Sequence, residues 1–222
     1  MRSLCRWLWP LLLLIALPAA ASDGEWLERE RELMGTLVSV ELWAQDPAAG
    51  KRLMEDVLDE FARLDRMMNP WNPASDLARL NREGSAGPVA VPREIREVVG
   101  QALYYSGLSD GAFDISFAAA GQHYDYRAEK APDKAVLRRA RQGIDYRGIQ
   151  LDEDSGTIAY AIPGLQIDLG GIAKGYAVDR AIAMLERAGV RAAVVAAGGD
   201  SRILGDLGDR PRTVGIRHPR KP

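Results

Sequence analysis

From Thr36 to Trp43 the chain alternates. Thr36, Val38, Val40 and Leu42 fall on one side, and Leu37, Ser39, Glu41 and Trp43 on the other, the period of a β-strand. From Ala48 to Met68 the rhythm changes, with Leu53, Val57, Phe61, Leu64 and Met68 recurring three or four residues apart. That spacing predicts an amphipathic helix, which Asn69-Pro70-Trp71-Asn72-Pro73 stops. Ser75 is placed to cap a short helix through Leu77 and Leu80. Pro92 can open a further helix at its first position, with Ile95, Val98, Val99, Ala102 and Leu103 as its stripe and Gly107 as its stop. Residues 132–142 read as a short basic helix with Val136 and Leu137 inside. Ile149-Gln150-Leu151 and Thr157 to Ile162 read as a hairpin around Asp154-Ser155-Gly156.

The densest pattern lies further along. Leu165 to Leu169 predicts a strand, Gly170-Gly171 a turn, Ile172 to Ala188 a helix ended by Gly189, and Val190 to Ala197 another strand. Arg202-Ile203-Leu204 and Thr213 to Ile216 read as a hairpin pair around residues 205–210. Strands and helices without strict βαβ alternation predict an α+β fold, a mixed or antiparallel sheet packed with helices.

The start of the chain stands apart. Arg2 and Arg6 precede an apolar run from Leu8 to Leu17, and Ala19-Ala20-Ala21 follows Pro18. A basic segment, a short apolar core and small residues predict a signal peptide over residues 1–21, with residues 22–222 as one domain. Cys5 precedes the apolar run instead of following it, so the expected product is exported and soluble, not lipid-anchored. Removing Arg2 and Arg6 takes the 29 basic residues to 27 against 31 acidic ones, a balance of -4 with no footprint of a nucleic-acid binder. Cys5 is the only cysteine, which excludes an internal disulfide and any zinc site on paired cysteines.

No phosphate-binding P-loop, dinucleotide fingerprint or zinc-protease helix is present. The strongest local signal is Ile167-Asp168-Leu169-Gly170-Gly171-Ile172-Ala173-Lys174. A strand ends, two glycines free the backbone and a helix begins, an arrangement whose free N–H groups favour an anion such as a pyrophosphate. Lys174 adds a cation where a helix start does not favour one, which suggests an anionic partner; a tight connection with Lys174 in solvent is the plain alternative. Ala196-Ala197-Gly198-Gly199-Asp200 allows close approach of a flat ligand, or simply forms a bulge before a hairpin. Asp114, after Gly111-Ala112-Phe113, can hold a ligand amide or sugar or can cap a helix. Met34 is core filler or a ligand contact, and Trp71 between two prolines can stack on a flat ring or cover the core.

As an ordered set, Met34-Gly35-Thr36, Met68-Asn69-Pro70-Trp71, Ser75-Asp76-Leu77, Leu80-Asn81, Gly111-Ala112-Phe113-Asp114, Asp168 to Ala177 and Ala197-Gly198-Gly199-Asp200 resemble the FAD:protein FMN transferases. These ApbE-type proteins were formerly labelled thiamine-biosynthesis lipoproteins. The resemblance runs from about Met34 to Pro219 and implies an ApbE-like fold. It also implies an exported enzyme of the periplasm or the outer face of the inner membrane. Such an enzyme needs Mg2+, cleaves FAD, passes FMN to a threonine or serine of an acceptor subunit of a membrane redox complex, and releases AMP. On the matching motifs, Met34, Trp71 (where the family usually has Tyr), Ala112, Phe113, Asp114, Asp168 and Lys174 would contact FAD, and the Gly171 carbonyl would meet the metal. The chain departs from the family at Ala196, where Asn is usual, and at Ile115-Ser116, where Pro-Thr is usual. It also lacks the family's later His-Ile-Ile-Asp-Pro and Asp-Ala-x-x-Thr segments, which predicts an incomplete C-terminal portion without the side-chain metal ligands. Two other classes fit the same residues: a flavin-binding protein without catalysis, and an inactive fragment.

Overall fold

The computed structural model describes residues 24–124, 128 and 130–205. The expected signal peptide and the Thr213–Ile216 strand lie outside them.

Four strands form one sheet in the order β1-β2-β6-β7: β1 (Glu25–Leu33), β2 (Thr36–Ala44), β6 (Ala193–Ala197) and β7 (Asp200–Leu204). A smaller sheet is ordered β3-β5-β4, from Val89–Ala90, Thr157–Tyr160 and Ile149–Asp152. Every pairing among the described residues is antiparallel. Register explains the core. Val38 faces Ala197, Val40 faces Val195 and Leu42 faces Ala193, and all six are buried. Helix α1 (Pro47–Met68) packs on β1 and β2, α6 (Ala173–Arg187) packs on β6 and β7, and the two helices meet. Phe61, Val57 and Leu64 of α1 are fully buried.

The helix ends follow local chemistry. Asp46 caps α1 by accepting from the Ala48 and Ala49 N–H groups at 2.9 and 3.2 Å. Ser75 caps α2 (Asp76–Glu83), accepting from Ala78 N–H at 2.9 Å and donating to the Asn69 carbonyl at 2.7 Å. Helix α3 (Arg93–Leu108) starts one residue after Pro92 and runs past Gly107 to a C-cap at Ser109. A 3-10 turn at Ile115–Phe117 leads into α4 (Ala118–Gly121). Helix α5 (Lys134–Ala140) buries nothing, and Val136 is exposed, so the expected inward stripe of that helix is corrected.

Strand β1 shows no apolar alternation. The face it shares with Leu27 carries Arg29 and Arg31. Their guanidiniums reach across α1 to Glu55 and Asp59, with Arg31 at 2.6 and 2.8 Å. Long basic side chains cover the sheet edge with their stems and keep their charge in water, so an outer strand needs few apolar residues. The second difference is at Leu165 to Leu169. Leu165, Ile167 and Leu169 are buried and alternate with half-buried Gln166 and Asp168, but no strand pairs with the segment among the described residues. Strand β7 pairs with β6 across the two-residue turn Gly198-Gly199, so that segment is a hairpin and contains no bulge.

Candidate active site

Beside the 165–169 segment lies a cavity of about 730 Å³, within the size range of ligand sites. Four separate stretches wall it. Pro70, Trp71 and Pro73 come from the loop after α1, and Ala78, Asn81 and Arg82 from α2. Phe113, Asp114, Ile115 and Phe117 come from the loop after α3 and its 3-10 turn, and Gln166, Ile167, Asp168, Gly170 and Gly171 from the 165–169 segment and the turn after it.

Trp71 stands on the rim, 69% exposed. Its backbone is held by Asn69 Oδ1, which accepts from Trp71 N–H at 2.9 Å, and Asn72 holds Ala74 in the same way at 3.1 Å. Such Asx turns, with flanking prolines, fix a loop without burying its side chains. Phe117 is a second half-exposed ring on the wall. Phe113 is fixed through its N–H, donated to Ser109 Oγ at 3.0 Å, and its ring edge lies against Gly171.

Asp114 acts as a cap. Its Oδ1 accepts from Ser116 N–H at 2.8 Å and from Ser116 Oγ at 2.6 Å, and its Oδ2 accepts from Tyr146 N–H at 3.1 Å. The carboxylate therefore shapes the wall while most of its accepting capacity is engaged inside the protein. Asp168 Oδ1 accepts from Gly170 N–H at 2.6 Å, tightening the turn, and Asp168 N–H donates to the Ile115 carbonyl at 3.0 Å. Lys174 Nζ donates to the Gly170 carbonyl at 2.6 Å, so its ammonium sits over the turn one helical step from the cavity wall.

Helix α6 has no side-chain cap, and the N–H groups of Lys174 and Gly175 make no hydrogen bond among the described residues. Unpaired N–H groups and the positive end of the helix dipole lie next to that ammonium, a setting for negative charge.

The structure thus brings Trp71, Phe113, Asp114, Asp168 and Gly171 to one cavity. Met34, Ala112 and Lys174 are not on its wall. Ala112 is exposed in the loop before Phe113. Met34 occupies the β1–β2 hairpin turn at φ 51°, a left-handed conformation uncommon outside glycine, and its N–H donates to Asp65 Oδ2 at 3.3 Å. The Gly198 turn lies beside this hairpin, with Gly198 N–H donating to the Leu37 carbonyl at 3.1 Å.

The side chains that would complete a magnesium site do not converge here. Among the described residues no three His, Cys, Asp or Glu side chains form a metal-binding group. Gly171 offers one carbonyl and Asp168 one nearby carboxylate, fewer ligands than Mg2+ takes. The described residues therefore do not fit a complete metal centre.

Asn81 is the wall residue that pattern reading left without a role. Its Nδ2 donates to the Ile167 carbonyl, and its Oδ1 accepts from Ile167 N–H, both at 2.9 Å. The signal was there: Asn81 lies four residues after buried Leu77 and three after buried Ala78, a polar residue on the inner face of α2. Tyr160 OH donates to the same Oδ1 at 3.0 Å, and burial pushes the Tyr160 hydroxyl well above the ordinary phenol range.

A charged network anchors α6 from behind. Glu60 of α1 accepts from Arg63 Nε at 2.7 Å, Arg63 Nη2 at 2.9 Å and Arg180 Nε of α6 at 2.8 Å. Arg63 also reaches Glu94 of α3 at 2.8 Å, and Tyr176 OH donates to Glu97 at 2.8 Å. Hydrogen bonds from Arg63, assisted by Arg180, hold the Glu60 carboxyl below its usual range. Burial, followed by the hydrogen bond to Glu97, raises the Tyr176 hydroxyl.

Similarity to known proteins covers the same stretch of chain. A 28% identical relative from Vibrio cholerae, named FAD:protein FMN transferase, aligns over 90% of this chain and 60% of its own length. A 31% identical protein of the same name from Rhodobacter capsulatus aligns over 84% of this chain and 36% of its own. The solved flavin transferase ApbE from Vibrio cholerae superposes with a TM-score of 0.80 at 25% identity, covering 88% of this chain and 65% of that one. This chain therefore spans no more than about two thirds of these relatives. The family model named ApbE matches residues 34–222, from the Met34 turn through the cavity-lining motifs and beyond, and on that match the chain belongs to the ApbE family.

Proposed function

We propose that this chain binds FAD and serves in the transfer of its FMN moiety to a threonine or serine hydroxyl of an acceptor protein, releasing AMP. The observation that carries the reading is the convergence of Trp71, Phe113, Asp114, Asp168 and Gly171 on one 730 Å³ cavity beside the uncapped start of α6. The aromatic rim suits a flat flavin ring. The unpaired N–H groups of Lys174 and Gly175, with the Lys174 ammonium, suit a pyrophosphate. The relatives' name supplies the reaction class.

In that reaction the acceptor hydroxyl oxygen bonds to the FMN phosphorus as the bond to the bridging oxygen breaks. The bridging oxygen leaves with AMP, and the hydroxyl proton passes to solvent. Phosphoryl transfer of this kind needs positioning and charge neutralisation more than covalent help from the protein. Here the residues of this chain hold the ring, fix the turn and place positive charge. Mg2+ dependence belongs to the proposal, with ligands beyond Gly171 and Asp168 required for it. An acceptor subunit of a membrane redox complex and an exported, soluble chain in the periplasm or at the outer face of the inner membrane complete the reading. They rest on the resemblance and on the expected signal peptide.

The test is intact-mass spectrometry of an acceptor protein carrying the modifiable threonine, incubated with the chain, FAD and magnesium. An added FMN mass supports transfer. FAD bound and returned unchanged reduces the function to flavin binding, and a chain that binds no FAD refutes the reading.

A further inference from the structure

In residues 165–169, buried Leu165, Ile167 and Leu169 alternate with half-buried Gln166 and Asp168, but no neighbouring strand pairs with them among the described residues. Buried peptide groups need partners. At Ile167, which is fully buried, both partners come from one side chain: Asn81 Oδ1 takes the N–H and Asn81 Nδ2 the carbonyl, each at 2.9 Å. That two-bond ring is the pattern an opposing residue makes in an antiparallel ladder.

We infer that Asn81 is a positioning residue of the flavin site. Its amide stands in for an absent strand, and through Ile167 it sets the Asp168 carboxylate and the Gly170-Gly171 turn. The inference rests on the flavin-binding reading and adds to it the residue that fixes the site's geometry.

Three observations support it. The first is that the amide's orientation is forced: Ile167 N–H can only donate and Ile167 carbonyl can only accept, so a flipped amide would oppose like groups at both contacts. Tyr160 OH at 3.0 Å fills the second accepting position of Oδ1, which locks Asn81 to β5 as well as to the 165–169 segment. The second is the chain immediately C-terminal to Ile167. Asp168 closes on Gly170 N–H at 2.6 Å, and Lys174 reaches the Gly170 carbonyl at 2.6 Å, so the carboxylate, turn and ammonium form one short connected unit. The third is location. Asn81 and Asp168 both line the cavity, and a site held to within about half an ångström needs such support behind its contact residues.

The test uses the full chain as wild type, Asn81→Leu, Asp168→Asn and the double variant. FAD affinity is read by flavin fluorescence, and the clamp by hydrogen exchange at the Ile167 amide. Expected are faster Ile167 exchange and about tenfold weaker FAD binding in Asn81→Leu, the scale of one lost hydrogen-bonded contact. In the Asp168→Asn background the same change should cost less than about twofold, because the residue acts through Asp168. Equal losses in both backgrounds, or unchanged Ile167 exchange, would overturn the inference. Should Asn81→Leu fail to fold, Asn81→Asp keeps both accepting contacts and opposes a carboxylate oxygen to the Ile167 carbonyl. Its FAD affinity and Ile167 protection should fall at neutral pH and recover as the carboxyl gains a proton to donate. Curves that parallel the wild type would again overturn it. A wild-type chain with slow Ile167 exchange that binds no FAD would refute the flavin reading, and the role of Asn81 in it, while leaving the clamp itself in place.

Discussion

Replacing Glu60 with glutamine should cost about 2 kcal/mol at neutral pH, and the cost should disappear in acid. Glu60 is 13% exposed and accepts three hydrogen bonds from Arg63 and Arg180, at 2.7, 2.9 and 2.8 Å. Glutamine keeps the shape and one accepting oxygen but turns an NH2 group toward a guanidinium. A hydrogen bond to a charged group contributes roughly 1.5–3 kcal/mol. Both arginines are more than a third exposed, at 38% and 36%, so solvent screens part of each contact and the sum is well below three full bonds. For a chain of this size, about 2 kcal/mol corresponds to a fall in Tm of roughly 4–8 °C. The sign with pH follows from the depressed Glu60 carboxyl. Its stabilisation is present above the unfolded value near 4.3 and is lost as pH falls through the lower folded value. Circular-dichroism melts of wild type and Glu60→Gln from neutral to acidic pH read both effects. A gap under about 1 °C at pH 7, or one that persists undiminished in acid, would refute the claim that this network ties α6 to α1.

Trp71→Ala should leave the unfolding free energy unchanged within about 0.5 kcal/mol, because the ring is 69% exposed, while weakening FAD binding about tenfold in a fluorescence titration. Gly171→Ala brings a methyl 3.3 Å from Phe113 Cε2 without any backbone strain; the ring should yield, so a small loss of Tm with altered flavin fluorescence is expected. Gly143→Ala meets the Gly164 backbone oxygen at 2.7 Å, where no flexible side chain can give way, and should destabilise by about 1–3 kcal/mol in denaturant unfolding. Lys174→Ala should weaken FAD binding more at low than at high ionic strength, and equal losses at both would remove its electrostatic role.

The elements that could be read from the sequence are those whose order comes from repetition. The stripe from Leu53 to Met68 marks α1, the alternation from Thr36 to Leu42 marks β2, and the Ser75 cap marks α2, because each repeats a contact with one continuous apolar surface. Strand β1 escaped because its inner face is closed by Arg29 and Arg31 on Glu55, a solution that alternation of apolar residues cannot register. The segment from Leu165 to Leu169 has the alternation of a strand and lacks the neighbour, since burial sets alternation and pairing is a separate matter.

The site divides along the same line. Trp71, Phe113, Asp114, Asp168 and Gly171 were legible as motifs, and the family resemblance implied that they share a site, but no periodicity showed how they are held together, because the connections are isolated side-chain-to-backbone bonds: Asn81 to Ile167 and Asp114 to Tyr146 between distant stretches, and Ser109 to Phe113 within one loop. None of these repeats, so none leaves a period. Each does leave a polar residue at a buried or turn position where an apolar one would pack as well, and burying it without a partner would be costly. Asn81 on the inner face of α2 is the clearest case. A polar residue on an otherwise apolar face marks a backbone that needs a partner, and in this chain that backbone leads directly into Asp168 and the glycine turn.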